Sequence, residues 1–145
     1  MKKLLIVLAV VVSGTLFAAT PPEVDGKIEK SFKEAFPKAE KVTWYENDNT
    51  YEVLFMNNLV KCRMWYDKDG NVTKTERYYG ESELCPYIMA KVKRKYPGKK
   101  VFGVTEVNTE SGINYHIILE DANKWYHVSG DAAGYLRLDK KLNKA

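Results

Sequence analysis

Apolar positions along this chain follow two periods, and the pair of periods occurs twice. Ile28, Phe32, Ala35 and Phe36 recur at helical spacing behind Asp25, a good helix-capping residue, and Pro37 closes the run. Sixty residues on, Ile88, Val92 and Tyr96 repeat that face ahead of Pro97. Ser82 or Cys85 precedes this second helix, and Pro86 is tolerated in its first turn. After each closing proline the period drops to two. Strands are predicted near 41–46, 50–56, 59–66 and 71–79, and again near 101–107, 113–120, 123–129 and 135–139. Asn57-Asn58 and Asp67-Lys68-Asp69-Gly70 are the turn signals of the first set. Tyr51 to Gly70 and Tyr115 to Gly134 both span nineteen steps, so the later hairpins are spaced alike. The first hairpin of the second set is four residues longer, around 108–112.

This spacing predicts an α+β chain in which one helix plus a four-stranded antiparallel sheet occurs in tandem, over residues 20–80 and 81–145. A unit of roughly 60 residues buries its core marginally on its own, so the two halves are expected to share one structure.

A two-residue turn at Asn57-Asn58 sets Met56 opposite Leu59, Val53 opposite Cys62 and Tyr51 opposite Met64. Tyr51, Val53, Phe55, Val60, Cys62, Met64 and Tyr66 then share the face that the helices cover, as do Tyr115, Ile117, Leu119, Tyr126 and Val128 in the second half. The opposite face carries Glu52, Leu54, Met56, Leu59, Lys61, Arg63 and Trp65, then His116, Ile118, Glu120, Trp125, His127 and Ser129. An open antiparallel face is usually polar. This one mixes aromatic, aliphatic and basic side chains, the composition of interface centres. Leu54, Met56, Lys61, Arg63, Trp65, Ile118 and Trp125 are therefore the expected partner-binding residues.

The first nineteen residues have a different character. Lys2 and Lys3 precede the apolar run from Leu4 to Val12, and small residues follow around Ala18-Ala19. That is the layout of a secretory signal peptide over residues 1–19, too short for an ordinary membrane span. Its removal leaves 21 basic residues (23 less Lys2 and Lys3) against 19 acidic ones. So balanced a surface gives no electrostatic case for nucleic acid. The chain is expected to be periplasmic or secreted, without membrane insertion once the signal is cleaved.

Export bears on the two cysteines. Cys62 and Cys85 form an even pair in an oxidising compartment, which suggests one disulfide of roughly 3 kcal/mol; two free thiols are the alternative. Neither has a histidine or acid at activating spacing. Asp67-Lys68-Asp69-Gly70-Asn71 begins like a calcium loop, but Val72 and Tyr78 stand where Gly and Glu are needed, so the segment reads as a hairpin turn. No nucleophile elbow, zinc-protease motif or phosphate loop is present. The sequence thus indicates a protein that is not an enzyme and takes no cofactor. The chosen register sets His116 directly opposite His127, near enough to share a metal if Glu106 or Glu120 supplies a third ligand. A small-ligand or metal-binding periplasmic protein is the alternative function.

The Phe36-Pro37 and Tyr96-Pro97 helix ends, the Val42 and Trp44 strand, the Tyr51-Glu52-Val53 strand and the Asp69-Gly70 turn resemble the bacterial PepSY-like family. That family is also described as beta-lactamase-inhibitor-protein-like. The resemblance runs from about Val24 to Leu142, and the second half departs from it at His116 and at Ser129-Gly130, which stand against Trp65-Tyr66. It implies an eight-stranded antiparallel sheet with both helices on one face, an open face that receives a protein or peptide in the cell envelope, and inhibition as a possible use. The family has no firmly assigned biochemical activity, so the resemblance supplies none.

Overall fold

A computed structural model describes residues 23–145, so the expected signal peptide at 1–19 lies outside the described residues. Helix α1 runs Gly26–Ala35 and α2 runs Pro86–Lys95. The Asp25 carboxylate caps α1 by accepting the Lys27 N–H at 2.8 Å. Cys85 holds the corresponding place in α2 without a side-chain cap bond, and Pro86, lacking an N–H, leaves one fewer donor to satisfy there. Each helix ends as the cap residue, Phe36 or Tyr96, donates its N–H to the carbonyl of Phe32 or Val92. The following prolines cannot continue it.

The strands are β1 (Glu40–Asn47), β2 (Thr50–Asn57), β3 (Val60–Asp67), β4 (Val72–Tyr79), β5 (Lys100–Thr109), β6 (Gly112–Glu120), β7 (Lys124–Asp131) and β8 (Leu136–Asn143). They form one antiparallel eight-stranded sheet in the order β1 to β8. Every neighbour in sequence is thus a neighbour in space. Hairpins make all the connections except β4 to β5, where a short 3-10 turn (Glu81–Glu83) and α2 intervene.

Both helices press on the same face. Ile28 and Phe32 from α1, with Ile88 and Val92 from α2, join one core with every strand residue assigned to the covered face by the two-residue period. Val53, Ile117 and Leu119 have no exposed surface at all. Phe32 stands edge-on to Trp44 and Phe55, with centroids 5.4 and 4.9 Å away. Two hairpin turns also tuck beneath the helices. Gly70 and Gly134, at φ +88° and +78°, occupy equivalent places after Asp67 and Asp131, whose carboxylates accept the N–H of Asn71 and Tyr135. A Cβ at Gly70 would lie 3.3 Å from Ile28, and one at Gly134 would lie 2.9 Å from Lys91. The aspartate-bearing segment 67–71 is therefore a hairpin turn, as expected.

The register differs from the sequence expectation by two residues per pair. Asn57 faces Val60, Phe55 faces Cys62 and Val53 faces Met64, so the turn is Asn58-Leu59. Both turn residues have positive φ, 48° and 68°, which is the type I′ geometry that follows the twist of a hairpin. Because the shift is even, every residue keeps its face. The same shift moves His116 opposite Ser129 and His127 opposite Ile118, so the two histidines are diagonal rather than directly opposed.

The disulfide is also corrected. Cys62 is buried and Cys85 is exposed, both are free, and they are not near each other. Cys62 lies on β3, whereas α2 packs over the far side of the sheet, where Tyr87 donates its hydroxyl to the Ala133 carbonyl at 3.1 Å. β4 and β5 lie between. Burial pushes the Cys62 thiol pKa up, against the nearby Arg77 charge, so it stays protonated and inert.

Leu59 is 95 % exposed in a left-handed conformation that a branched side chain resists. Leu59→Gly relieves that strain at the cost of extra unfolded-state freedom, and is expected to raise stability by up to about 1 kcal/mol. Urea denaturation of the two chains measures it; a lower midpoint for the variant would contradict the strained turn.

Candidate functional site

The face opposite the helices carries the candidate site. Pairing across the sheet arranges its side chains in rows. One row reads Tyr45, Glu52, Trp65, Lys74; the next reads Thr43, Leu54, Arg63, Glu76, Val107, Asn114. A third runs Met56, Lys61, Tyr78, Thr105, His116, Ser129, Arg137. Beyond it Ile118 pairs with His127, and Glu120 with Trp125. All seven residues expected to bind a partner therefore share this face. They sit in two groups, with Leu54, Met56, Lys61, Arg63 and Trp65 on β2 and β3, and Ile118 and Trp125 on β6 and β7.

Both tryptophans of this face meet cations, Trp65 two and Trp125 one. Over the Trp65 ring stand the Arg63 guanidinium, 5.5 Å from the centroid, and the Lys74 ammonium at 4.4 Å. Lys74 reaches Trp65 because the two are cross-strand partners, and Arg63 does so because it is two residues along the same strand. These cations are themselves anchored, Arg63 to Glu52 at 2.9 Å and Lys74 to Glu76 at 2.6 Å. Around Trp125 the Lys144 ammonium lies 4.4 Å from the ring and bonds Glu120, while Phe102 meets the indole edge-on at 4.8 Å. Such contacts favour one placement of each ring while leaving it half-buried.

Glu76 links the polar groups of the first cluster. Burial alone would raise its pKa, but the Lys74 ammonium and the Tyr78 hydroxyl outweigh it and hold the carboxyl below its usual range. In turn Tyr78 is pushed up to about 12, first by burial and then by its bond to the Glu76 carboxylate. The cluster thus sets Glu52 and Glu76 against Arg63 and Lys74 around one indole.

The histidine pair gains no third ligand. Glu106 lies on the covered face, opposite Arg77 and Tyr115, and Glu120 is bonded to Lys144. Among the described residues no group of three His, Cys, Asp or Glu side chains is placed to hold a metal. His116 instead stands in the third row opposite Ser129, whose hydroxyl donates to Asp139 at 3.1 Å, and His127 pairs with Ile118 beyond it.

Sequence reasoning missed Tyr78, Lys74, Phe102 and Tyr45 as members of this face. β4 and β8 carry mostly polar residues on both faces, so a two-residue period gives little signal there. Phe102 stands beside a bulge between Val101 and Gly103, where strict alternation fails.

No family model matches the chain, and no curated protein does. Solved structures do. A BLIP-like protein from Bacteroides fragilis superposes with a TM-score of 0.63 over 88% of this chain and 92% of its own, at 18% identity. The fold is BLIP-like. A DUF2874 family protein from Bacteroides ovatus, 25% identical, matches with a TM-score of 0.60 over 86% of this chain and 88% of that one. A candidate periplasmic protein from Bacteroides eggerthii, 15% identical, gives 0.59 over 84% and 90%. A BLIP-like sheet therefore presents the face just described, and no helix among the described residues is long and apolar enough to cross a membrane.

The Glu76–Tyr78 bond makes a measurable pH effect. Tyr78 has a raised folded pKa, so its stabilising contribution is complete below the unfolded value near 10 and fades as pH rises through about 12. Glu76→Gln removes the carboxylate that disfavours the phenolate, and Tyr78 should then ionise at lower pH. Absorbance titration of the tyrosines, with Tyr78→Phe to assign the step, reads the shift; an unmoved step would show that the carboxylate does not control Tyr78.

Proposed function

We propose that this chain is an exported, non-enzymatic binding module of PepSY-like type, built from two tandem units at 20–80 and 81–145 behind a cleaved signal at 1–19. Its open sheet face receives a protein or peptide of the cell envelope. The observation that carries this is the pair of tryptophans on a face that neither helix covers, Trp65 between Arg63 and Lys74 and Trp125 between Lys144 and Phe102. An aromatic ring whose placement is already favoured loses less entropy on binding, and Trp and Arg dominate the energetics of known interfaces. Leu54, Met56 and Ile118 supply apolar area around these rings, and Lys61 and Arg63 supply charge. The BLIP-like fold supports this use, since the name of the Bacteroides fragilis protein likens it to a beta-lactamase inhibitor. The Bacteroides eggerthii protein supports the envelope as the compartment. Blocking an enzyme by occupying its surface is one form such binding takes.

A photo-crosslinking amino acid placed at Leu54 or Ile118 in cells tests the reading, with Lys30 on the exposed side of α1 as control. Adducts are expected from the open face and not from Lys30. Trp65→Ala should remove them by costing about 2 kcal/mol or more of binding, with the thermal unfolding transition retained. Adducts that form equally from Lys30, or that persist in a folded Trp65→Ala, Trp125→Ala double variant, would rule out the open face as the seat of the partner.

A further inference from the structure

Among the described residues the sheet has two free edges, β1 and β8, and each presents unpaired backbone N–H and C=O groups. At the centre of the same sheet lies a junction that shows how such edges fit together. There β4 meets β5 with Arg77 opposite Glu106, and the Arg77 guanidinium bonds the Glu106 carboxylate at 3.2 Å. The Tyr79 hydroxyl donates to the same carboxylate at 2.5 Å, beneath the helix layer.

The two free edges hold the counterparts of this pair. Lys141 faces the buried Tyr126 of the preceding strand, as Arg77 faces the buried Cys62. Glu46 faces Tyr51 of the following strand, as Glu106 faces Tyr115. The acid is thus the same residue at both positions, and the base is a cation at both. Around them the charges divide by edge. β8 and the residue after it carry Arg137, Lys140, Lys141 and Lys144 against one acid, Asp139. β1 and the residue after it carry Glu40, Glu46 and Asp48 against one base, Lys41. Glu46, Asn47 and Asp48 also border an open hollow of about 520 Å³.

We propose that the β8 edge of one copy pairs with the β1 edge of a second copy, extending the sheet head to tail with Lys141 against Glu46 as Arg77 stands against Glu106. Like edges repel, which disfavours β1 on β1 and β8 on β8, whereas unlike edges attract. Such a contact is heterologous, so it closes into a ring or continues as a filament. It leaves the open face free and stands apart from whatever that face binds. In the single copy Glu46 is held by Lys68 of its own chain at 2.6 Å, a half-exposed pair that a second copy's cation can replace.

Sedimentation velocity of the mature chain tests this from about 10 μM to about 1 mM, at about 50 mM and about 1 M salt. Association that grows with concentration and weakens at high salt is expected. Glu46→Lys and Lys141→Glu should each weaken it by roughly tenfold or more. The two variants mixed, or combined in one chain, should restore it, with circular dichroism confirming that each is folded. A chain that stays monomeric throughout overturns the proposal, including the case in which β1 accepts a strand of another protein. Association indifferent to both charge reversals overturns it as well, because another surface would then be responsible.

Discussion

Ile28 and Phe32 on one helix, with Ile88 and Val92 on the other, are all that the helix layer inserts fully between water and one face of an eight-stranded sheet. Ten-residue helices are short for that task. The sheet compensates with its own side chains. Tyr51, Tyr66, Tyr79, Tyr115 and Tyr126 are all buried on the covered face, where a ring supplies apolar bulk and its hydroxyl can reach polar surroundings. The two strands separating the α1 side from the α2 side carry Arg77 and Glu106 there. A charged pair is tolerated in that position because Arg77 stays partly in water while Glu106 is satisfied by both the guanidinium and Tyr79.

The faces of β2, β3, β6 and β7 were legible in the sequence because alternation is a parity, and a parity survives a register error of two residues. Asn57-Asn58 looked like the turn because asparagine tolerates positive φ more readily than leucine does. The chain nevertheless turns at Asn58-Leu59, which brings Tyr51 opposite Tyr66 and extends the paired strands. The histidine pairing depended on register rather than parity, so it did not survive. The cysteines failed differently. Parity placed Cys62 inward correctly, but Cys85 caps a helix, and no sequence period reports which part of the sheet that helix overlies.

The candidate site was half legible. Its residues on β2, β3, β6 and β7 follow from alternation, whereas the clamps around the tryptophans depend on cross-strand neighbours. Lys74 meets Trp65 only through the β3–β4 register, which contains a bulge beside it between Trp65 and Tyr66. Lys144 reaches Trp125 from beyond the last strand. The solved neighbours share the scaffold at 15 to 25% identity, and a scaffold does not name a ligand. What the open face can hold is set by its own side chains rather than by the scaffold.

Strand order has a kinetic side. Because β1 to β8 lie in the sheet as they lie in the chain, six of the seven ladders close through tight hairpins. The exception joins β4 to β5 across residues 80–99. Closing that longer loop costs more chain entropy than closing a hairpin, and its contacts come from farther apart in sequence. The Arg77–Glu106 seam therefore carries the costliest closure in the sheet, while each four-stranded half is knit by hairpins alone.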